Sequence, residues 1–189
     1  MHRRALDVAG GVLARVRDTD LSRPTPCAGW DLQALIGHVV GQNHGFAQAV
    51  EAPDAPLAAF AARPPDPGGA AHGWRTSADR VAGAFAAAPL DREVLLVEIS
   101  PDTRFPVATV VGFHLLDTVV HAWDLATSLG EAFRPDDELI AATLAQARQV
   151  PDGPARRRPA ATFAPSLPLE GSDDWTDTLA LLGRAAAAG

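Results

Sequence analysis

Apolar residues along this chain recur at helical spacing far more often than they alternate. Leu6, Ala9, Leu13 and Val16 predict an amphipathic helix over residues 3–19. Asp31 suits an N-cap or first turn, and from it Leu32, Leu35, Ile36, Val39, Asn43, Phe46, Ala47 and Val50 keep one face of a second helix. A third helix is expected at about residues 75–87 before Pro89, and a fourth over 107–129, ended by Gly130. Two more are expected at 136–149, stopping before Pro151, and at 173–184. The stretch SRPTPCAG, residues 22–29, reads as a loop, as do residues 53–70, with room for a helical turn at Pro56 to Ala62. EVLLVEIS and TRFPVATV flank Pro101-Asp102 and read as two short strands or an extended connector, with Pro106 weakening the second. No internal repeat is visible. The expected architecture is all-α: four main helices with shorter additions and room for a small hairpin, as a single domain over residues 1–189.

Composition narrows the function classes. A chain of 189 residues, 47% hydrophobic and 21% charged, is ordinary globular material. Its net charge of −7, with no dominant basic cluster, argues against a nucleic-acid partner. The run Arg156-Arg157-Arg158 lies in a Pro-rich stretch and is expected to be a solvated loop. One cysteine permits no disulfide within the chain and fits a reducing, cytoplasmic setting. No apolar run reaches the roughly 18 residues a membrane helix needs. The N-terminal stretch is interrupted by Asp7, Arg15 and Arg17, so it reads as a first helix rather than a signal peptide.

The fourth helix carries the candidate chemistry. On a helical wheel His114, Asp117, His121 and Asp124 fall within roughly a quarter of the circumference. Leu115, Leu116, Val119, Val120 and Trp123 fill the opposite side, and Val110, Phe113 and Leu125 flank the stripe. A helix apolar nearly all round is expected to be buried, and buried His and Asp need partners. Asp117 and His121, at i and i+4, can reach one divalent ion; His38, on the flank of its own helix beside Leu35 and Gln42, is the candidate third ligand. Three protein ligands with an open position characterise a catalytic metal site, whereas hydrogen bonding or plain exposure would equally explain an i,i+4 pair.

Two segments carry a family resemblance. TPCAGWDLQALIGHVVGQN, residues 25–43, and DTVVHAWDLATSLG, residues 117–130, resemble the two signatures of the DinB-like, mycothiol-dependent maleylpyruvate isomerase superfamily. The tail FAPSLPLEGSDDWTDTLALLGR resembles an actinobacterial metal-binding branch of it. The resemblance implies a DinB-type four-helix bundle, metal ligands at His38, Asp117 and His121, and zinc or nickel as the ion, with iron also suited to His/His/carboxylate. It further implies a low-molecular-weight thiol such as mycothiol, whose sulfur the ion holds as thiolate toward a small electrophile. Asp117 departs from the glutamate of the isomerases, and 189 residues leave no room for their additional C-terminal domain.

Other residues have two readings each. His114 is the candidate catalytic base, with fourth ligand, hydrogen-bond partner and pocket wall as the alternatives. Asp124 is a candidate for orienting His121 from behind, or bonds a backbone amide or arginine instead. Gln42 and Trp30 are candidate substrate contacts, although Trp30, like Trp123, is first of all expected to pack the core. Cys27 is expected to be structural, and His2, His44 and His72 to lie at the surface. The leading reading is a metal-dependent thiol transferase or isomerase acting on a small molecule, with a homodimer as the conceivable assembly and no membrane partner. The rivals are a thiol-independent Lewis-acid enzyme, for hydrolysis, elimination or cyclisation, and a non-catalytic metal- or small-molecule-binding module.

Overall fold

The computed structural model describes residues 1–52, 54–158, 162–171 and 173–185. Contacts divide the chain into two compact units, His2–Phe133 and Arg134 onward.

The first unit is a four-helix bundle of α1 (His2–Leu13), α2 (Leu32–Glu51), α3 (Ala70–Ala87) and α4 (Val107–Leu129). Helix α1 packs on α3 and α4, and so does α2, giving the cyclic order α1–α4–α2–α3. Their apolar stripes meet in a core that includes Leu6, Leu13, Leu32, Leu35, Ile36, Val81, Val107, Val110 and Leu125. Each such burial contributes about 1.5–3 kcal/mol relative to exposure. Between α3 and α4 a hairpin pairs β1 (Glu93–Leu95) antiparallel with β2 (Arg104–Pro106), Val94 facing Phe105. Pro106 is tolerated because it closes its strand and serves as the residue capping α4.

Local chemistry explains where the helices begin and end. The Asp31 carboxylate accepts the Ala34 N–H at 2.8 Å and caps α2, as expected. Helix α4 closes at Gly130, whose φ of 76° lets its N–H and that of Glu131 turn back onto carbonyls of the last turn. Helix α1 stops at Leu13, short of the expected residue 19. There the Asp20 carboxylate accepts the Arg17 N–H at 3.1 Å, and a 3₁₀ turn at Asp18–Asp20 replaces further α-helix. Helix α3 starts at Ala70, ahead of the expected 75, because Ala70 and Ala71 are strong helix formers just after the turn at Gly68 and Gly69.

Helix α2 carries Gly37, Gly41 and Gly45 one turn apart, and residues 60–64 lie directly against them. A Cβ on Gly41 would stand 2.5 Å from the Ala61 carbonyl oxygen, and one on Gly45 would enter the Phe60 ring. Phe60 also meets Phe46 edge-on, with centroids 5.8 Å apart.

In the second unit α5 (Asp137–Ala147) packs on α6 (Asp174–Leu181), both capped by aspartates, Asp136 and Asp173. Arg156 corrects the expectation of a wholly solvated arginine run. It is buried, donating to the carbonyls of Val150, Pro151, Ala164 and Leu181 and to the Ser166 hydroxyl. Its fixed fork of N–H donors gathers these carbonyls, and Ser166 Oγ shares that of Leu181 at 2.9 Å. Arg157 and Arg158 are exposed, as expected. Among the described residues no helix is long and apolar enough to cross a membrane.

Candidate metal centre

Helix α4 is buried on nearly every side, including most of its polar stripe: His114, His121 and Asp124 are all less than 5% exposed. Asp117 and His121 meet across one turn, Asp117 Oδ1 lying 3.2 Å from His121 Nε2. Helix α2 brings His38 to the same point, its ring 5.1 Å from that of His121 and close to perpendicular. One donor atom from each of His38, Asp117 and His121 lies within 4.8 Å of the other two. Nitrogen and oxygen donors on one tetrahedral divalent ion stand about 2.0–2.2 Å from it, hence about 3.3–3.6 Å from each other. Asp117 and His121, 3.2 Å apart, already have that spacing, and a shift of about an ångström would bring His38 to it.

The far side of His121 is also built. Its Nδ1 lies 2.9 Å from Asp124 Oδ2, and Asp124 has no exposed surface. The carboxylate thus holds the Nδ1 proton and turns Nε2 toward Asp117 and His38, the usual arrangement behind a metal-ligating imidazole. The Cys27 thiol donates to the same Asp124 oxygen at 3.4 Å and stands 4.0 Å from His121 Nδ1. Cys27, His121 and Asp124 therefore form a second donor cluster that shares His121 with the first. No histidine adjoins Cys27 in the sequence; the bundle supplies one in space.

The electrostatics suit a cation. Burial, reinforced by the charge of His121 and only partly offset by Asp117, lowers the pKa of His38 to about 4, so its ring is neutral and free to ligate. Burial disfavours the His121 imidazolium, but Asp117 and the hydrogen bonds to Asp117, Asp124 and Cys27 overturn this and raise its pKa well above 6.5. Burial alone would raise the Asp117 pKa, yet His121, His38 and His114 hold it well below the ordinary carboxylate value. The metal-free group is thus an Asp117 carboxylate beside a His121 imidazolium, with one proton standing where an ion would bind.

The surrounding residues divide. Gln42, one turn after His38, is buried and donates to Glu98 Oε1 at 2.7 Å. Glu98 sits in the loop between β1 and β2; burial and the charge of Asp117 raise its pKa, while the bond from Gln42 opposes them. Glu98 escaped sequence reading because it belongs to no periodic element; the one signal was a carboxylate inside the apolar run VLLVEI. Trp30 corrects the core expectation: it is 37% exposed, its ring 4.8 Å from that of His38. The loop hands directly into α2 here, leaving the indole over the imidazole rather than beneath it. Trp123 is buried, as expected.

His114 is not among the converging donors. Its Nδ1 lies 2.8 Å from His2 Nε2 and 3.2 Å from Thr118 Oγ1, while Nε2 is buried without a hydrogen-bond partner among Phe46 and Phe85. Burial, with the charge of His2 adding to it, lowers its pKa to about 3. His2 was expected at the surface; the structure half-buries it against His114 and Phe85, because α1 docks its first turn on α4. His44 lies 3.1 Å from an Arg80 nitrogen, and His72 is exposed.

A four-helix bundle with two histidines and a carboxylate converging between α2 and α4 is the class that fold and site define. Residues 2–126 match the family described as mycothiol maleylpyruvate isomerase N-terminal domain, and the chain belongs to that family. Two Mycobacterium tuberculosis proteins are each 36% identical over 184 residues, covering 97% of this chain and 95% of theirs. They are Uncharacterized protein MT0763 of strain CDC 1551 / Oshkosh and Uncharacterized protein Rv0738 of strain ATCC 25618 / H37Rv. A crystal structure of a mutant of the mycothiol-dependent maleylpyruvate isomerase is similar with a TM-score of 0.58 and 14% identity, over 77% of this chain. The chain spans 64% of that protein's length, and the likeness shows the shared DinB-type fold.

Proposed function

We propose that this protein is a metal-dependent enzyme acting on a small electrophile, by transfer of a low-molecular-weight thiol such as mycothiol or by thiol-assisted isomerisation. The observation that carries the reading is the convergence of His38, Asp117 and His121, with Asp124 fixing the far nitrogen of His121. Membership of a family named for a mycothiol-dependent isomerase supports the thiol. The donor set fits zinc, nickel or iron, and three protein ligands leave a position for a small molecule. A bound divalent ion would supply stabilisation of a thiolate at neutral pH.

The chain's own residues do the rest. Asp117 contributes the anionic donor. His38 arrives neutral, and His121 gives up its Nε2 proton while Asp124 keeps the Nδ1 proton in place. Trp30, partly exposed over His38, offers an aromatic face to whatever docks. His114 fixes the first turn of α1 through His2 and takes no part in proton transfer.

The test is metal content by elemental analysis of protein purified without a nickel column, followed by electrophile consumption with and without thiol. About one divalent ion per chain, lost in His121→Ala, and turnover that requires thiol are expected. Stoichiometric metal retained in His121→Ala would sink the centre, and turnover indifferent to thiol would sink the thiol chemistry.

A further inference from the structure

The loop between β1 and β2 places a charged group at the centre that none of the site's chemistry yet uses. Leu96 is fully buried and anchors the loop, and the N–H groups of Ile99 and Ser100 turn back onto its carbonyl. This turn presents Glu98, and the buried Gln42 carboxamide holds the carboxylate at 2.7 Å. Gln42 stands one helical turn from His38 on the same side of α2. Glu98, exposed on a different element from any of the three donors, therefore stands near the centre through Gln42, and its charge and that of Asp117 act on each other. Among the described residues no arginine is seen to pair or hydrogen-bond with Glu98, Gln42, His38, Asp117 or His121.

We propose that Glu98, held by Gln42 beside the His38–Asp117–His121 group, sets the charge selectivity of the centre: it admits uncharged or cationic small molecules and turns away carboxylate-bearing ones. This rests on the metal-centre reading above. With a divalent ion, the Asp117 carboxylate and a bound thiolate the inner charges would cancel, and the Glu98 carboxylate would be the nearby charge left over. A monoanion docking near it meets repulsion in a partly solvated setting, worth roughly five- to ten-fold in affinity. An ammonium gains by a similar factor.

The test loads the protein with Co(II) and reads ligand binding from the cobalt spectrum. Three thiols of similar size are titrated: 3-mercaptopropionate, 2-mercaptoethanol and cysteamine. Their intrinsic affinities differ, so each is compared between wild type and Glu98→Gln, which keeps the side-chain shape and an acceptor for Gln42. Expected in the variant is roughly five- to ten-fold tighter binding of the anion, a similar loss for the ammonium thiol, and little change for the neutral one. Glu98→Lys should reverse the order outright. Azide and imidazole serve as an anionic and a neutral ligand that need no thiol. If cobalt binds but all ligands shift by the same factor, or none shifts, the selectivity is overturned while the centre stands. If no cobalt binds, the centre itself fails and the proposal with it.

Discussion

Asp124→Ala probes the centre without touching His38, Asp117 or His121. In the native protein Asp124 Oδ2 accepts the His121 Nδ1 proton at 2.9 Å from a position with no exposed surface. Among the described residues the remaining neighbour of Nδ1 is the Cys27 sulfur at 4.0 Å, a long and weak contact beside that of a carboxylate. The imidazole would lose both its orientation and the partner that makes Nε2 more basic. Losing such an outer partner lowers metal affinity by about 10–100-fold, or about 1.4–2.7 kcal/mol. The full burial and the weakness of the Cys27 contact place this case near the upper end. Asp124→Asn keeps an acceptor oxygen but not the charge, and should fall between the alanine variant and wild type. Affinity is read by competition with a chromophoric chelator at pH 7.5, with Tm of the metal-free protein as the check on folding. A second readout is the number of protons released per ion. Wild type should release close to one, from His121, whereas Asp124→Ala holds that proton less firmly and should release less. A folded Asp124→Ala that binds metal within about two-fold of wild type would refute the orienting role.

Metal affinity of the wild type should rise by about ten-fold per pH unit around neutrality, because the ion competes with one proton on His121, whose pKa is raised; a flat chelator-competition profile between pH 6.5 and 7.5 would contradict this. The metal-free protein should lose stability as pH falls from about 6.5 toward 4. In that window the unfolded chain protonates His2 and His38 while their native pKa values of about 4 keep them neutral, and urea titrations at pH 7 and 5 should show the difference. His114→Ala should cost about 2–4 kcal/mol of stability through lost packing and the lost His2 contact, yet leave metal affinity within a few-fold, in calorimetry and chelator competition; loss of the metal instead would return His114 to the centre. Gly45→Ala should destabilise by about 1–3 kcal/mol, since the added methyl meets the Phe60 ring, and unchanged urea midpoints would show that Phe60 has room to move.

The bundle was legible because long periodic segments carry their own signal. The span of α4, its stop at Gly130 and the Asp31 cap all follow from local chemistry. So did the convergence on His121, because Asp117 is its i,i+4 neighbour and the motif around His38 marked the third donor. What stayed hidden depends on contacts between distant segments. Neither the thiol of Cys27 at Asp124, 97 residues apart, nor the carboxylate of Glu98 at Gln42, 56 apart, leaves a periodic trace. Trp30 and His2 were misplaced for the same reason: an aromatic ring in a loop or at a terminus says little about which surface it will cover. Arg156 shows the converse, a charged residue drawn inward by carbonyls that only the folded chain assembles.

The glycines of α2 act as a keyway. A helix in a bundle can in principle turn about its own axis, since apolar side chains tolerate many bearings. Here only one face lacks Cβ atoms, and residues 60–64 seat in it, so the azimuth of α2 is fixed by a segment with no polar duty. His38 follows Gly37 by one residue and Gln42 follows Gly41, so each stands about 100° around from the slot. An imidazole extends about 6–7 Å from the helix axis, and a 10° slip would carry it about 1 Å, beyond what a preorganised centre tolerates. The aim of the His38 imidazole is thereby set by the shape of a loop on the helix's glycine face, and a substitution at Gly41 would be felt at His38 before it was felt anywhere else.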